Sequence, residues 1–176
     1  MKRITPPLDS TQIKKLHRGE RVFLSGFLYT ARDQAHKRLI ADLLSGKKLP
    51  FAIKGSVIYY CGPTKTPHGL AVGSCGPTTS SRMDAFTPIL LRAGLCAMIG
   101  KGNRSEEVRQ AVKRYRGVYF LTYAGCGALL AQYVKKTTPV TYKDLGPEAI
   151  VQLKVKDFPL IVGIDTRGRS IYNAKR

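Results

Sequence analysis

Along the chain, stretches in which apolar residues alternate with polar ones give way to stretches in which they recur at helical spacing, and this change of period marks the elements. From Arg21 to Leu28, Val22, Leu24 and Leu28 fall two or four apart, which predicts a strand. From Thr30 to Leu44 the period lengthens: Ala31, Ala35, Leu39 and Leu43 share one helical face, with Thr30 as the cap and Gly46 as the stop. Val57 to Cys61 predicts a buried strand, closed by Gly62-Pro63 and followed by a loop containing His68-Gly69. Thr87 as cap, Pro88 at the first helical position and Gly94 as terminator bound a short helix. Leu95 to Ile99 reads as a strand, Gly100-Lys101-Gly102 as a turn, and Ser105 caps a helix running through Arg116. That helix carries Glu106 and Glu107 in its first turn and Lys113, Arg114 and Arg116 in its last, so its charges match the helix dipole at both ends. Val118 to Tyr123 predicts a strand, Ala128 to Lys135 a helix, and Ile150–Val155 and Leu160–Ile164 two shorter strands; Asp165 to Gly168 turns back into Ser170–Tyr172. Residues 1–20, polar with two adjacent prolines, predict an extended arm leading into a single domain over 21–176. Alternating strands and helices define an α/β fold class, in which bends between strand ends and helix starts lie along one sheet edge, where ligands sit.

Composition narrows the picture. At 176 residues and 43% hydrophobic content the chain can bury its own core. It has no run of eighteen apolar residues and opens without the apolar stretch of a secretory signal, so a soluble, cytoplasmic protein is expected, with no membrane partner. Cys61, Cys75, Cys96 and Cys126 form no C-x-x-C pair, so no local motif assembles a metal or iron–sulfur site and buried free thiols are expected. A net charge of +19 attracts anions of several kinds. The basic residues are nevertheless scattered singly and in pairs such as Lys47-Lys48 and Lys135-Lys136, with no stripe interleaved with aromatics. A solvated basic surface, an acidic partner or a small anionic substrate each explains the balance.

The stretch Gly73 to Asp84, GSCGPTTSSRMD, cannot be an ordinary strand or a helix interior, because glycine and proline punctuate it and its hydroxyls compete for backbone hydrogen bonds. Backbone N–H groups at a helix start, the hydroxyls of Thr78 and Thr79 and the guanidinium of Arg82 can converge on an oxyanion. The bland alternative is a loop with Arg82 paired to Asp84 or solvated. A nucleotide reading rests on Gly100-Lys-Gly-Asn-Arg-Ser105, which comes close to a dinucleotide fingerprint, but the strand Val118–Tyr123 ends without the acidic residue that would bind a ribose.

Five ordered blocks carry a stronger signal: Tyr29-Thr-Ala-Arg-Asp-Gln-Ala-His36, Tyr60-Cys-Gly-Pro63, Gly76-Pro-Thr-Thr-Ser-Ser-Arg-Met-Asp84, Ile99-Gly-Lys-Gly102, and Leu145-Gly-Pro-Glu-Ala149 with Asp157-Phe-Pro159. In these the sequence resembles the β-subunit of two-subunit class I fumarate hydratases, the similar L-tartrate dehydratase β-subunits, and the C-terminal domain of their single-chain relatives. The resemblance implies a swivelling β/β/α domain and reversible hydration of a dicarboxylate double bond. It also implies a four-iron four-sulfur (4Fe-4S) cluster held by cysteines of a partner α-subunit and none bound by this chain, within a hetero-oligomer such as α2β2. Arg32, Arg82 and Lys101 match substrate-binding positions and Thr78 the residue placed as base at C3, while the acid would come from the partner. A hydroxyl is a weak base, so that role requires strong activation by nearby cations. Asp33, His36, Thr79 and Asp84 are expected around this group: His36 on the helical face of Arg32, Asp33 paired to Lys37, Asp84 anchoring Arg82 or capping the bend. His68 receives no role. The alternative from another class is a non-catalytic basic module binding nucleic acid or an acidic protein, although the absence of a nucleic-acid motif argues against nucleic acid.

Overall fold

The computed structural model describes residues 2–173. Among them the elements run β1 (Lys2–Ile4), α1 (Ser10–Lys14), β2 (Arg21–Thr30), α2 (Asp33–Leu44), β3 (Val57–Tyr59), α3 (Thr87–Arg92), β4 (Ala97–Gly100), α4 (Glu106–Tyr115), β5 (Val118–Leu121), α5 (Gly127–Ala131), β6 (Val134–Thr141) and β7 (Ile150–Ile164). Short 3₁₀ turns cover Ser80–Met83, Lys143–Glu148 and Ile171–Asn173.

The seven strands form one sheet in the order β1-β2-β3-β4-β5-β7-β6, parallel from β1 through β5, and β2 also pairs with β7. At 15 residues β7 is long enough to use both edges, antiparallel to β2 along one and to β6 and then β5 along the other. The strands β2-β3-β4-β5-β7 therefore close into a ring. Side chains alternate across it with period two. Val57, Tyr59, Ala97, Ile99, Val118 and Phe120 fill the interior, and Ile58, Tyr60, Met98 and Tyr119 point outward beneath Leu39 of α2, Leu90 of α3 and Val112 of α4. Burial on both faces is why the central strands read as unbroken apolar runs.

Several expectations change; among them, Thr87 is the first residue of α3 and Phe86 takes its N-cap position. The first twenty residues are not a free arm. Their few apolar residues, Ile4, Leu8, Ile13 and Leu16, are all buried, β1 pairs with β2, and α1 has a capping box in which Asp9 accepts from Thr11 N and Gln12 N while Gln12 accepts from Asp9 N. Thr30 does not cap α2. It ends β2, where its hydroxyl accepts from Val151 N at 3.2 Å and donates to Ala149 O, so Arg32 takes the N-cap position. The helix after the glycine bend is only Gly127–Ala131, and the chain then enters β6. Lys135, Lys136 and Pro139 obscured this strand because it lies at the sheet edge, where charge and proline are tolerated and guard against pairing with other chains. The two last strands are one: Lys156 and Asp157 bulge opposite Ser25, with Asp157 at φ +53° and its N–H donating to Ser25 Oγ.

Leu28 lies fully buried inside the ring. Leu28→Ala should lower the unfolding free energy by about 2–5 kcal/mol, measured by urea denaturation; a loss below about 1 kcal/mol would show that the interior collapses to fill the space.

Candidate active site

The parallel strands β2, β3 and β4 end at one edge of the ring, and the candidate residues lie just beyond those ends. Arg32 comes just after β2, where Ala31 N donates to Tyr59 O of β3 at 3.1 Å. Its side chain lies across Gly62: a Cβ there would stand 2.8 Å from Arg32 Nη1 and 3.0 Å from Pro147 O, so only glycine leaves room. Glu148 Oε1 is 4.0 Å from Arg32 Nη2, and Arg32 Nε is buried with no partner. A concavity of about 310 Å³ between Pro63–Thr66 and Gly146–Pro147 adjoins this contact.

After β3 the chain makes a long excursion and returns at Thr78, whose N–H donates to Tyr60 O at 2.6 Å. Thr79 then bridges to Lys101 in parallel fashion, and Ser80 N donates to Lys101 O at 3.0 Å. The Ser80 hydroxyl accepts from Lys101 N at 3.1 Å and from Tyr119 OH at 2.9 Å. This crossing is possible because residue 100 is glycine: a Cβ there would coincide with the Ser80 hydroxyl. Thr78 and Lys101 are partly exposed and Thr79 is exposed at the rim.

Two ion pairs differ from the expected ones. Asp33 does not pair with Lys37; Arg82 Nε donates to Asp33 Oδ1 at 2.9 Å, and Nη2 stands 2.9 Å from Oδ2 but too obliquely to count as a second hydrogen bond. Asp84 does not hold Arg82. It accepts from Arg104 Nε at 2.6 Å and from Ser105 N at 2.7 Å, tying the turn to the start of α4. The reason is reach: the Ser80–Met83 turn sends Arg82 out toward the start of α2 and leaves Asp84 facing inward. Arg82 thus spends one edge of its guanidinium on Asp33 and keeps the other for a second acceptor.

Beneath the rim sits a polar group that sequence reasoning missed. The Arg104 side chain is fully enclosed, with Nη2 donating to Thr87 Oγ1 at 2.6 Å and its plane between the rings of Tyr60 and Tyr119, 5.4 and 4.9 Å from their centroids. Burial acts against its charge, but Tyr60, Asp84 and Tyr119 outweigh that and raise its pKa. Its signal was the Asn103-Arg104 pair inside the supposed nucleotide fingerprint. There, Gly100 serves Ser80 and Arg104 turns inward, so the glycines have a packing explanation. His36 is likewise fully buried, edge-on to Tyr60 and beside Phe86. Its Nδ1 is 2.8 Å from Arg32 O and therefore carries the proton, which leaves Nε2 a buried acceptor without a partner. Burial lowers its pKa to about 4, so the ring is neutral and braces Arg32 through the backbone.

The thiols do not form a cluster cradle. Cys61 and Cys75 are neighbours in the apolar interior, and the contact with Cys75 together with burial pushes the Cys61 thiol far up. Cys96 and Cys126 are half-buried, and among the described residues no group of three His, Cys, Asp or Glu is gathered for a metal. The thiols present do not fit an iron–sulfur cluster, which needs several thiolates at one place. No helix among the described residues is long and apolar enough to cross a membrane.

The fold and rim define an α/β domain with a cationic edge built from three consecutive strand ends. A family model described as Fumarase C-terminus matches residues 3–175, and the chain belongs to that family. It is 42% identical over 171 residues to a Methanocaldococcus jannaschii protein whose name assigns it, provisionally, as an L(+)-tartrate dehydratase subunit beta, covering 94% of this chain and 88% of the relative. It is 39% identical over 171 residues to fumarate hydratase 2 of Leishmania major and 42% identical over 154 residues to the aerobic class I fumarate hydratase of Escherichia coli K12. These matches cover 95% and 86% of this chain but only 30% and 28% of those longer proteins.

Gly100→Ala should cost about 1–3 kcal/mol, as overpacking does, because the Ser80 hydroxyl is fixed by two hydrogen bonds and cannot step aside; chemical denaturation measures it, and a neutral effect would mean the crossing is loose. His36 gives a pH test. Unfolded, it titrates near 6.5; folded, near 4. Between these values only the unfolded chain binds the proton, so the stability supplied by neutral His36 is complete above pH 6.5 and drains away as pH falls toward 4. The stability advantage of wild type over His36→Gln should therefore shrink by on the order of 3 kcal/mol between pH 7 and pH 4, and unfolding curves with parallel pH dependence would contradict it.

Proposed function

We propose that this chain is the β-subunit of a hydro-lyase that interconverts fumarate and L-malate, contributing carboxylate-binding residues to an active site completed by a partner α-subunit. What supports the proposal is that Arg32, Arg82 and Lys101 all lie beyond the common end of β2, β3 and β4, with Arg82 held by Asp33 so that one guanidinium edge stays free. Two guanidinium groups and an ammonium suit the two carboxylates of a small diacid, binding by charge-assisted hydrogen bonds and fixing the carbons between them. The family membership and the names of the relatives support the same chemistry. A swivelling β/β/α domain type belongs to the proposal, as does a hetero-oligomer such as α2β2.

In this reading Thr78 stands at the rim as the group that exchanges a proton with the carbon chain, its hydroxyl made more acidic by the surrounding cations. Thr79, bridged to Lys101, and Asp33, paired to Arg82, position their neighbours. Asp84 and His36 act from behind, one through Arg104 and Ser105, the other through the Arg32 carbonyl. In this reading the partner would carry the 4Fe-4S cluster, consistent with the scattered thiols of the described residues. Dehydration of L-tartrate is the second reading, favoured by the relative that this chain matches over nearly its full length.

Co-expression with a cluster-bearing subunit under anaerobic conditions should yield fumarate hydration, monitored by loss of fumarate absorbance. Arg82→Ala or Lys101→Ala in that complex should lower kcat/KM by about 100-fold or more, as misplacing a bound substrate does, with stability within about 1 kcal/mol of wild type. Turnover like wild type in either variant refutes the clamp, and turnover of L-tartrate with none of fumarate selects the second reading.

A further inference from the structure

The chain has a second cationic feature, at the opposite end of the ring from the candidate active site. α4, capped by Ser105 four residues after Lys101, runs back so that Arg116 precedes Val118 at the start of β5, which pairs with Ala97 at the start of β4. There, Lys113 and Arg116 of the α4 terminus meet Lys14 of α1 and Thr166 and Arg167 of the turn after β7 around a concavity of about 290 Å³. Three segments far apart in sequence thus place four exposed cations and a hydroxyl on one hollow, and its lining contains no carboxylate. This is a gathering that the scatter of basic residues along the chain does not reveal.

The four cations are also unspent. The described residues form nine ion pairs, and Lys14, Lys113, Arg116 and Arg167 take part in none. Asp165, next to Thr166 in the chain, is already committed to Arg169 and to the N–H groups of Arg167 and Arg169. The hollow is firmly built, because Arg109 Nε donates to Gly168 O at 3.4 Å and a Cβ on Gly168 would stand 3.2 Å from Lys113 Cβ, seating the turn directly on α4. Compensation of the α4 dipole accounts for basic residues in its last turn. It does not account for Lys14 and Arg167, which arrive from other segments.

We propose that this hollow is a binding site for a multiply charged phosphate-bearing small molecule, separate from the rim. Four cations with no ion-pair partner among the described residues favour a ligand with several negative oxygens, and Thr166 adds a hydroxyl donor. The size suits one or two phosphoryl groups. A nucleic-acid strand shares the phosphate chemistry but gains from aromatic stacking platforms, and none lines the hollow. The site stands whether or not the proposed catalytic function holds.

The test titrates the full chain with inorganic phosphate and pyrophosphate at fixed ionic strength, by calorimetry and by amide chemical shifts. Saturable one-to-one binding of pyrophosphate is expected, with shifts at Arg116, Thr166 and Gly168. Lys113→Gln with Arg167→Gln should weaken it at least about tenfold, Lys14→Gln should weaken it independently, and Arg82→Ala should change it less than about twofold. Binding that is unsaturable at constant ionic strength, unchanged in these variants, or mapped to Lys101 and Arg82 overturns the proposal. So does a short RNA that occupies the hollow and is not displaced by pyrophosphate.

Discussion

The closing of the sheet by β7 is the constraint that organises the molecule. One strand of 15 residues pairs with β2 along one edge and with β6 and β5 along the other, so the central backbone is satisfied within the ring and the interior is sealed from water. Closure also fixes orientation. Because β2, β3, β4 and β5 are parallel, their carboxyl ends share one rim and their amino ends the other. Chain leaving the first rim has to return to the second, and helices α2 and α4 start there. Arg32 and Lys101 owe their neighbourhood to this geometry and to nothing local in sequence.

The rim is held from below by a largely enclosed set of polar groups. Tyr119 OH reaches Ser80 and Gly102 O, Arg104 links Asp84 to Thr87, and Tyr60 OH lies 3.3 Å from Thr87 Oγ1. Burying a guanidinium is costly unless its hydrogen bonds are met, and here one nitrogen, Nη1, remains unmet along with Nε2 of His36. Their proximity to one aromatic ring, Tyr60, puts a donor and an acceptor in the same enclosed region. Such a network specifies one arrangement of the Ser80 turn more than it adds stability.

What could be read from sequence divides along physical lines. The central strands and α4 were legible because double burial and helical capping write themselves into residue order: Ser105 caps α4 by accepting from Val108 N, as its position suggested. The edge strand β6 was not, since an edge needs no apolar alternation and its lysines and proline look like loop. The first twenty residues deceived through sparseness, four apolar anchors in a polar stretch being too few to show a period. At the candidate site, Thr78 and Arg82 were suggested by the chemistry of the bend between Gly73 and Asp84, whereas Arg32 and Lys101 were named from resemblance alone. Their partners were not legible: pairing Arg82 with Asp33 across 49 positions, or Asp84 with Arg104 across 20, depends on which way a turn faces, and no spacing rule reports that.

Charge accounting at the rim bears on why the site would need a partner. Arg32, Arg82 and Lys101 contribute three positive charges, but Asp33 is paired to Arg82 and Glu148 stands 4.0 Å from Arg32, so three less two leaves a single net charge. Against a diacid carrying two negative charges, this chain alone falls one short. Asp33 itself repels a carboxylate brought alongside it by about 4 kcal/mol at 4 Å in a surface-like dielectric, an opposition tolerable only if holding Arg82 still is worth more. The overall charge of +19 supplies a diffuse attraction that salt screens within about 10 Å. For the proposed diacid, close neutralisation of the second carboxylate would then fall to groups across the open side of the rim, where the proposed α-subunit would sit.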